Sequence, residues 1–293
     1  MGTRIRVVTG KGGVGKTTVA AAYGLALAGQ NRRVLLAEVN GGERITPLLG
    51  AAPVGSTMRE VVENLHVVDM NPRDSIREYV LQTFRFESVY NTVFENRFVR
   101  QFLRLVPSLS ELVMLGKVWF HHQETREDGT PRFDDIIVDA PATGHAISML
   151  RAPTVVQRTV PAGPLRDNCK DIVEMLRLRG TLHIVTLPEE MPVSEALELT
   201  SAAHHRIDIR LGEAFINQRL TALPAGAVDP LLSERGWRAE LGDALSIRDS
   251  KCLNGEEQLR RLSASLLDGA ISLPHQVDLD LPALARRIGE AIQ

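Results

Sequence analysis

The sequence points to an α/β fold: a mostly parallel β-sheet flanked by helices, one domain over 1–293, with an inserted α-helical subdomain at about 74–123. Three observations carry this. A short apolar, β-branched run from Ile5 to Thr9 leads through a glycine-rich turn into an alanine-rich helical stretch, Val19 to Ala28. A second, nearly continuous apolar run, Arg33 to Val39, follows soon after, and two such strands around one helix make a parallel βαβ unit. Between Tyr79 and Phe120 lie nine of the chain's aromatic residues, of eight Phe, three Tyr and two Trp in all, in a block that interrupts the strand-like runs.

The turn after the first strand reads Gly10, Lys11, Gly12, Gly13, Val14, Gly15, Lys16, Thr17, Thr18. Gly10, Gly15, Lys16 and Thr17 complete the phosphate-loop spacing G-x-x-x-x-G-K-T. Glycines allow positive φ and a close approach of backbone to phosphate oxygens, which a β-carbon would obstruct. Successive N–H groups at a helix N-terminus then form an anion cradle, to which the helix dipole adds partial positive charge. Lys16 is placed to reach the β- and γ-phosphates as a compact cation, and the Thr17 hydroxyl to ligate Mg²⁺. Nothing in that spacing requires Lys11, so a second lysine inside the loop points to a further anionic contact. Gly29 stops the helix.

Asn40, Gly41 and Gly42 end the second strand in a loop on the same edge of the sheet as the phosphate loop, where open α/β sheets bind ligands. Leu65 to Met70 reads as a third strand, closed by the Asn71-Pro72 turn. From Asp74 to about Gln123 the chain reads as two or three helices broken near Pro107. Phe86, Tyr90, Phe94, Phe98 and Phe102 recur at every fourth position, along one slowly drifting helical face. That face fits either ordinary core or a groove for a hydrophobic protein segment. The adjacent His121 and His122 point about 100° apart on a helix and do not share an ion.

Asp134 to Asp139 is a strand that ends in an acid, and Asp139 is suited to hydrogen-bond the Mg²⁺ shell on the far side of the γ-phosphate. Pro141 and Gly144 bend the loop that follows. Pro164 to Leu178 carries charges at helical spacing, Thr181 to Leu187 is a strand, and Pro188 to Glu195 opens another helix. Glu213 to Gln218 is a strand reaching Asn217. The stretch from Pro224 to Lys251 has no readable pattern. Ile271 to Leu273 is a short last strand, and Leu281 to Ile292 a closing helix.

Of the 293 residues, 44% are hydrophobic and 24% charged, the composition of an ordinary globular protein. A net charge of −2 gives no field that would hold nucleic acid. Cys169 and Cys252 form neither a disulfide framework nor a zinc site by themselves, which fits a reducing cytoplasm. No apolar run approaches a membrane span, and no leader segment is expected before the first strand.

Taken together, these motifs resemble those of the ArsA-like ATPases, the arsenite-pump and tail-anchored-protein targeting branch of the deviant Walker A class. The loop from Gly10 to Thr18 is similar to the one that branch shares with septum-site and plasmid-partition ATPases and with nitrogenase iron protein. Asp139-Ala-Pro-Ala-Thr-Gly-His145 resembles the branch's own switch II; Pro188 to Glu195 and Asn254 to Leu259 resemble two further family elements. The resemblance implies a P-loop NTPase fold, ATP and Mg²⁺ as ligands, and hydrolysis served by Lys11, Lys16 and Asp139. It implies a homodimer, or a pair with a related chain, in which Lys11 crosses to the partner's nucleotide. It also implies that Asn217 meets adenine, that His145 transmits nucleotide state, and that the helical insert holds a client segment.

The loop after the second strand departs from the family's D-P-A-H sequence. Asn40 stands where the first aspartate would be and Pro47 at the water-orienting acid, leaving Glu38 and Glu43 as the nearest carboxylates. Slow hydrolysis is therefore expected, and a low-turnover regulatory or scaffold subunit is the alternative. Arsenite efflux would want a cysteine cluster that these two cysteines do not resemble, and partition-type DNA binding a basic face.

Overall fold

The computed structural model describes residues 2–39, 41–72, 74–75, 109–160, 162–223, 238–263 and 269–292. Among them, eight strands form one sheet: β1 (Arg4–Thr9), β2 (Val34–Val39), β3 (Arg59–Val62), β4 (Leu65–Met70), β5 (Asp135–Asp139), β6 (Gly180–Thr186), β7 (Arg210–Arg219) and β8 (Ala270–Pro274). Their order is β3-β4-β2-β5-β1-β6-β7-β8, parallel throughout except for β3, which runs antiparallel to β4. β1 lies between β5 and β6, so the chain winds to one side of β1 first and to the other later. That reversal opens a crevice at the carboxyl end of β1.

All six residues of β2 are buried, as a strand covered on both faces requires. One face is covered by α1 (Lys16–Ala28) and α8 (Leu281–Ala291), where Tyr23 and Leu27 share an apolar layer with Leu284 and Ile288. Gly24 and the alanines of α1 let it lie close to the sheet; a β-carbon at Gly24 would stand 3.1 Å from Leu65 Cδ1. The other face is covered by α3 (Leu109–Gln123), α4 (Thr143–Thr159), α5 (Pro164–Arg179) and α6 (Glu190–Ala202), with Leu115, Met149, Leu176 and Leu199 meeting over the strands. The short α2 (Ile45–Leu48) follows β2, and the long α7 (Arg238–Ser263) precedes β8. No helix among the described residues is long and apolar enough to cross a membrane.

The family-type sheet and its flanking helices match the reading of the sequence, with local differences. Gly29 caps α1 but stays right-handed at φ −63°; the chain reverses at Asn31, φ 58°. The antiparallel edge strand β3 has no signal in the sequence because it is short, half charged and mostly exposed, without the alternation a half-buried strand shows. α7 takes up the described part of the stretch that has no readable pattern, from residue 238, and Asn254 to Leu259 lie inside it. α6 ends in a π-helical turn, Ala203–Ile207, closed by Asp208 at φ 59°. Of the helical insertion, α3 is described. The aromatic row Phe86, Tyr90, Phe94, Phe98 and Phe102, with Pro107, lies outside the described residues, as does Asn40.

Candidate nucleotide site

The crevice at the end of β1 is filled by the glycine-rich loop. Gly10 (φ 157°) must be glycine because a β-carbon there would run into the Val185 carbonyl on β6. Gly13 and Gly15 take φ of 85° and 87°, the left-handed region that turns the loop into α1, and a β-carbon on Gly15 would collide with the Asn217 amide. Val14 points into the apolar layer beneath α1 and is fully buried, so the loop is pinned by packing as well as by its turns. Gly12 and Gly13 remain exposed at its tip, and Thr17 and Thr18 enter the first turn of α1. Lys16 Nζ donates to the Lys11 carbonyl at 3.0 Å. Burial lowers the Lys16 pKa, with Asp139 opposing and the Arg44 charge adding to the decrease.

Asp139 ends β5 in register with Val8 on one side and Glu38 on the other. It is 6% exposed, and among the described residues its Oδ1 has no hydrogen-bond partner. Burial pushes its carboxyl up to about 6, against the hydrogen bond with Thr17 and the charge of Lys16, and with Glu38 pushing the same way as burial. The loop beyond it is tied to the phosphate loop: Thr9 Oγ1 donates to the Pro141 carbonyl at 2.8 Å and the Thr143 amide to the Gly10 carbonyl at 3.2 Å. Glu195, on α6, bridges the two loops, pairing with Lys11 Nζ at 2.9 Å and accepting from Thr143 Oγ1 at 3.3 Å.

In the loop after β2, Glu38 is buried and its two oxygens accept the Arg44 amide at 2.8 Å and the Ile45 amide at 3.1 Å. Glu43 (φ 62°) accepts the Gly55 amide at 2.6 Å. Both carboxylates that the sequence offered for orienting water are thus committed to backbone amides. Pro47 sits inside α2 and offers no polar group.

Beyond the carboxyl ends of β6 and β7 opens a cleft of about 510 Å³ whose lining includes Leu187, Pro188, Gln218, Cys252 and Gly255. Asn217 precedes the lining residue Gln218 in β7. Its Nδ2 donates to the Val14 carbonyl at 2.9 Å and its Oδ1 accepts the Gln218 amide at 2.9 Å, so this side chain braces the phosphate loop.

The sequence matches the anion-transporting ATPase family over residues 3–221. The chain belongs to that family. It is 29% identical over 235 residues to the ATPase BagA of Mycobacterium tuberculosis, covering 75% of this chain and 66% of that one. To the arsenical pump-driving ATPase of Escherichia coli it is 30% identical over 199 residues, 67% of this chain and 31% of that protein. To the enzyme of the same name from Acidiphilium multivorum it is 28% identical over 163 residues, 55% of this chain and 27% of that one. The chain thus spans just under two thirds of its mycobacterial relative and under a third of these two pump-driving ATPases.

Within this family member the structure brings Gly10 to Thr18, Asp139 and Asn217 to one edge of the sheet. His145 stands exposed in the first turn of α4. Two neighbours of the site were not singled out from sequence. Glu195 had as its signal the Pro188 to Glu195 element that it closes. Arg44 had only its place in the loop after β2.

Proposed function

We propose that this family member binds ATP with Mg²⁺ between the glycine-rich loop and Asp139, and hydrolyses it as a dimeric switch. The observation behind this reading is the Asp139 Oδ1, buried and without a partner among the described residues, beside the Thr17 hydroxyl at the mouth of an amide cradle. A divalent cation fits such an oxygen pair. Thr17 and Asp139 would hold it, directly and through its water shell, and it would neutralise charge developing on the transferred phosphoryl group. Lys16 would leave the Lys11 carbonyl for the phosphates, and the loop amides would take the remaining oxygens. The cleft next to Asn217 would receive the base.

The loops after β2 and β5 would carry nucleotide state outward, since a few hydrogen bonds tie them to a strand end or to the phosphate loop. In a homodimer, or a pair with a related chain, Lys11 would exchange Glu195 for the partner's nucleotide. A hydrophobic protein segment is the client this reading favours, on the strength of the aromatic row in the insertion, and the cytoplasm its place of work. Arsenite export has less support: Cys169 is on the buried face of α5 while Cys252 lines the cleft, and both are free thiols.

A second reading, a nucleotide-binding scaffold with little turnover, is favoured by the commitment of Glu38 and Glu43 to backbone amides. Phosphate release separates the two. The enzyme reading requires Mg²⁺-dependent turnover that Lys16→Ala reduces by about 10³-fold or more. Mg²⁺-dependent ATP association with only background phosphate release, equal in Lys16→Ala, would establish the scaffold instead.

A further inference from the structure

We propose that Arg44 is a cationic residue for the γ-phosphate, supplied in cis from the loop after β2, and that Glu38 is its positioning residue. This rests on the ATPase reading above. The register of β2 on β5 puts Glu38 directly beside Asp139. The Glu38 carboxylate takes the Arg44 and Ile45 amides, so the backbone of Arg44 is held one hydrogen bond from the strand end that adjoins the Mg²⁺ candidate. Arg44 Nε donates to the Gly41 carbonyl at 2.7 Å, which folds the side chain back over its own loop. Among the described residues, no carboxylate pairs with its guanidinium, although Arg4, Arg6, Arg32 and Arg33 at the opposite edge all have one.

The loop that carries Arg44 therefore stands on the carboxyl edge of the sheet, anchored beside the strand end of Asp139. In phosphoryl transfer, charge spreads over the equatorial oxygens of the γ-phosphoryl group, and a planar fork can bind two of them at once. Water adds to the γ-phosphorus, the bond to the β,γ-bridging oxygen breaks with its electron pair leaving on ADP, and the proton of the water passes to solvent. Arg44 stabilises the charge in that step; it does not take the proton. This would let the loop support turnover although its carboxylates are committed elsewhere.

The test compares wild type, Arg44→Ala and Arg44→Lys. Neither substitution removes the backbone amide that Glu38 holds, so the loop keeps its anchor. Three quantities are read: kcat, ATP affinity by calorimetry, and the rise in Tm on adding ADP, Mg²⁺ and aluminium fluoride, which mimics the transferring phosphoryl group. Arg44→Ala is expected to lose about 10²-fold or more in kcat with ATP affinity within about threefold, and to lose the aluminium fluoride shift. Arg44→Lys, which keeps charge but not the fork, is expected to recover less than about a tenth of the wild-type rate. Turnover of Arg44→Ala within about twofold of wild type, or a retained aluminium fluoride shift, would overturn the assignment while leaving the ATPase reading intact. A wild type that does not turn ATP over would overturn both.

Discussion

Asp135 and Asp139 occupy the two ends of the same strand, β5, and the chain treats them in opposite ways. Asp135, at the amino end, is fully buried and ringed by guanidinium groups: Arg6 Nε at 2.8 Å, Arg4 at 3.8 Å, and Arg32. Next to it, Arg33 grips Asp134 through its amide at 2.9 Å and its guanidinium at 2.7 Å, and holds that carboxyl below its ordinary range. Asp139, at the carboxyl end, is nearly as buried but keeps an oxygen without a partner, and burial raises its pKa to about 6. Burial costs a charge about equally at both ends. What differs is whether the protein supplies the counter-charge itself or leaves it to a ligand.

Breaking the amino end should produce the largest effect on stability. Asp135→Ala strands the largely buried Arg6 and Arg32 without their acid and is expected to lower the unfolding free energy by about 3 kcal/mol in chemical denaturation. A loss within experimental error would mean that the ring of arginines is held by something other than Asp135.

The same kind of change at the other end should have the opposite sign. In the unfolded chain Asp139 titrates near its ordinary 3.8, and in the folded chain near 6. The folded state therefore holds its proton more tightly, and stability falls as pH rises between these values, with the full penalty above the upper one. Without nucleotide and metal, Asp139→Asn is expected to be more stable than wild type by about 2–3 kcal/mol at pH 8. That gain should disappear below about pH 4, where both forms are neutral. Equal stabilities across the whole range would show that Asp139 carries no desolvation penalty.

Gly15→Ala sharpens the contrast within the carboxyl edge, since it forces a side chain into left-handed backbone and into the Asn217 amide that braces Val14. A loss of about 1–3 kcal/mol is expected, together with weaker ATP association. Thermal denaturation with and without MgATP reads both. Glu195→Gln should be the mildest. Its ion pair with Lys11 is about a third exposed on each side, so stability should change by less than about 1 kcal/mol. A larger loss would make Glu195 a structural brace rather than a resting partner for Lys11.

How much of this was legible in the sequence follows the same division. Gly10, Gly15, Lys16 and Thr17 are readable because phosphate binding by backbone amides needs a fixed local spacing, and Asp139 because it ends an apolar strand. The sheet was readable wherever strands are buried on both faces, as in β2. It was not readable at β3, which lies exposed on the edge, or in α7, whose charged residues leave no apolar stripe to count. The pairing of Lys11 with Glu195 and the anchoring of Arg44 through Glu38 depend on where strands and loops meet in space, which no local pattern encodes. Asn217 was read as a contact for adenine from resemblance; in the structure its amide first secures the phosphate loop.

Calorimetric titration of ATP into the protein, with and without Mg²⁺, asks most directly whether the unpaired oxygen of Asp139 awaits a metal–nucleotide ligand. Wild type should bind ATP at least about tenfold more tightly with Mg²⁺ than without it, and Asp139→Asn should lose that difference while keeping the metal-independent part. Equal binding with and without Mg²⁺ in wild type, or an undiminished Mg²⁺ effect in Asp139→Asn, would contradict it.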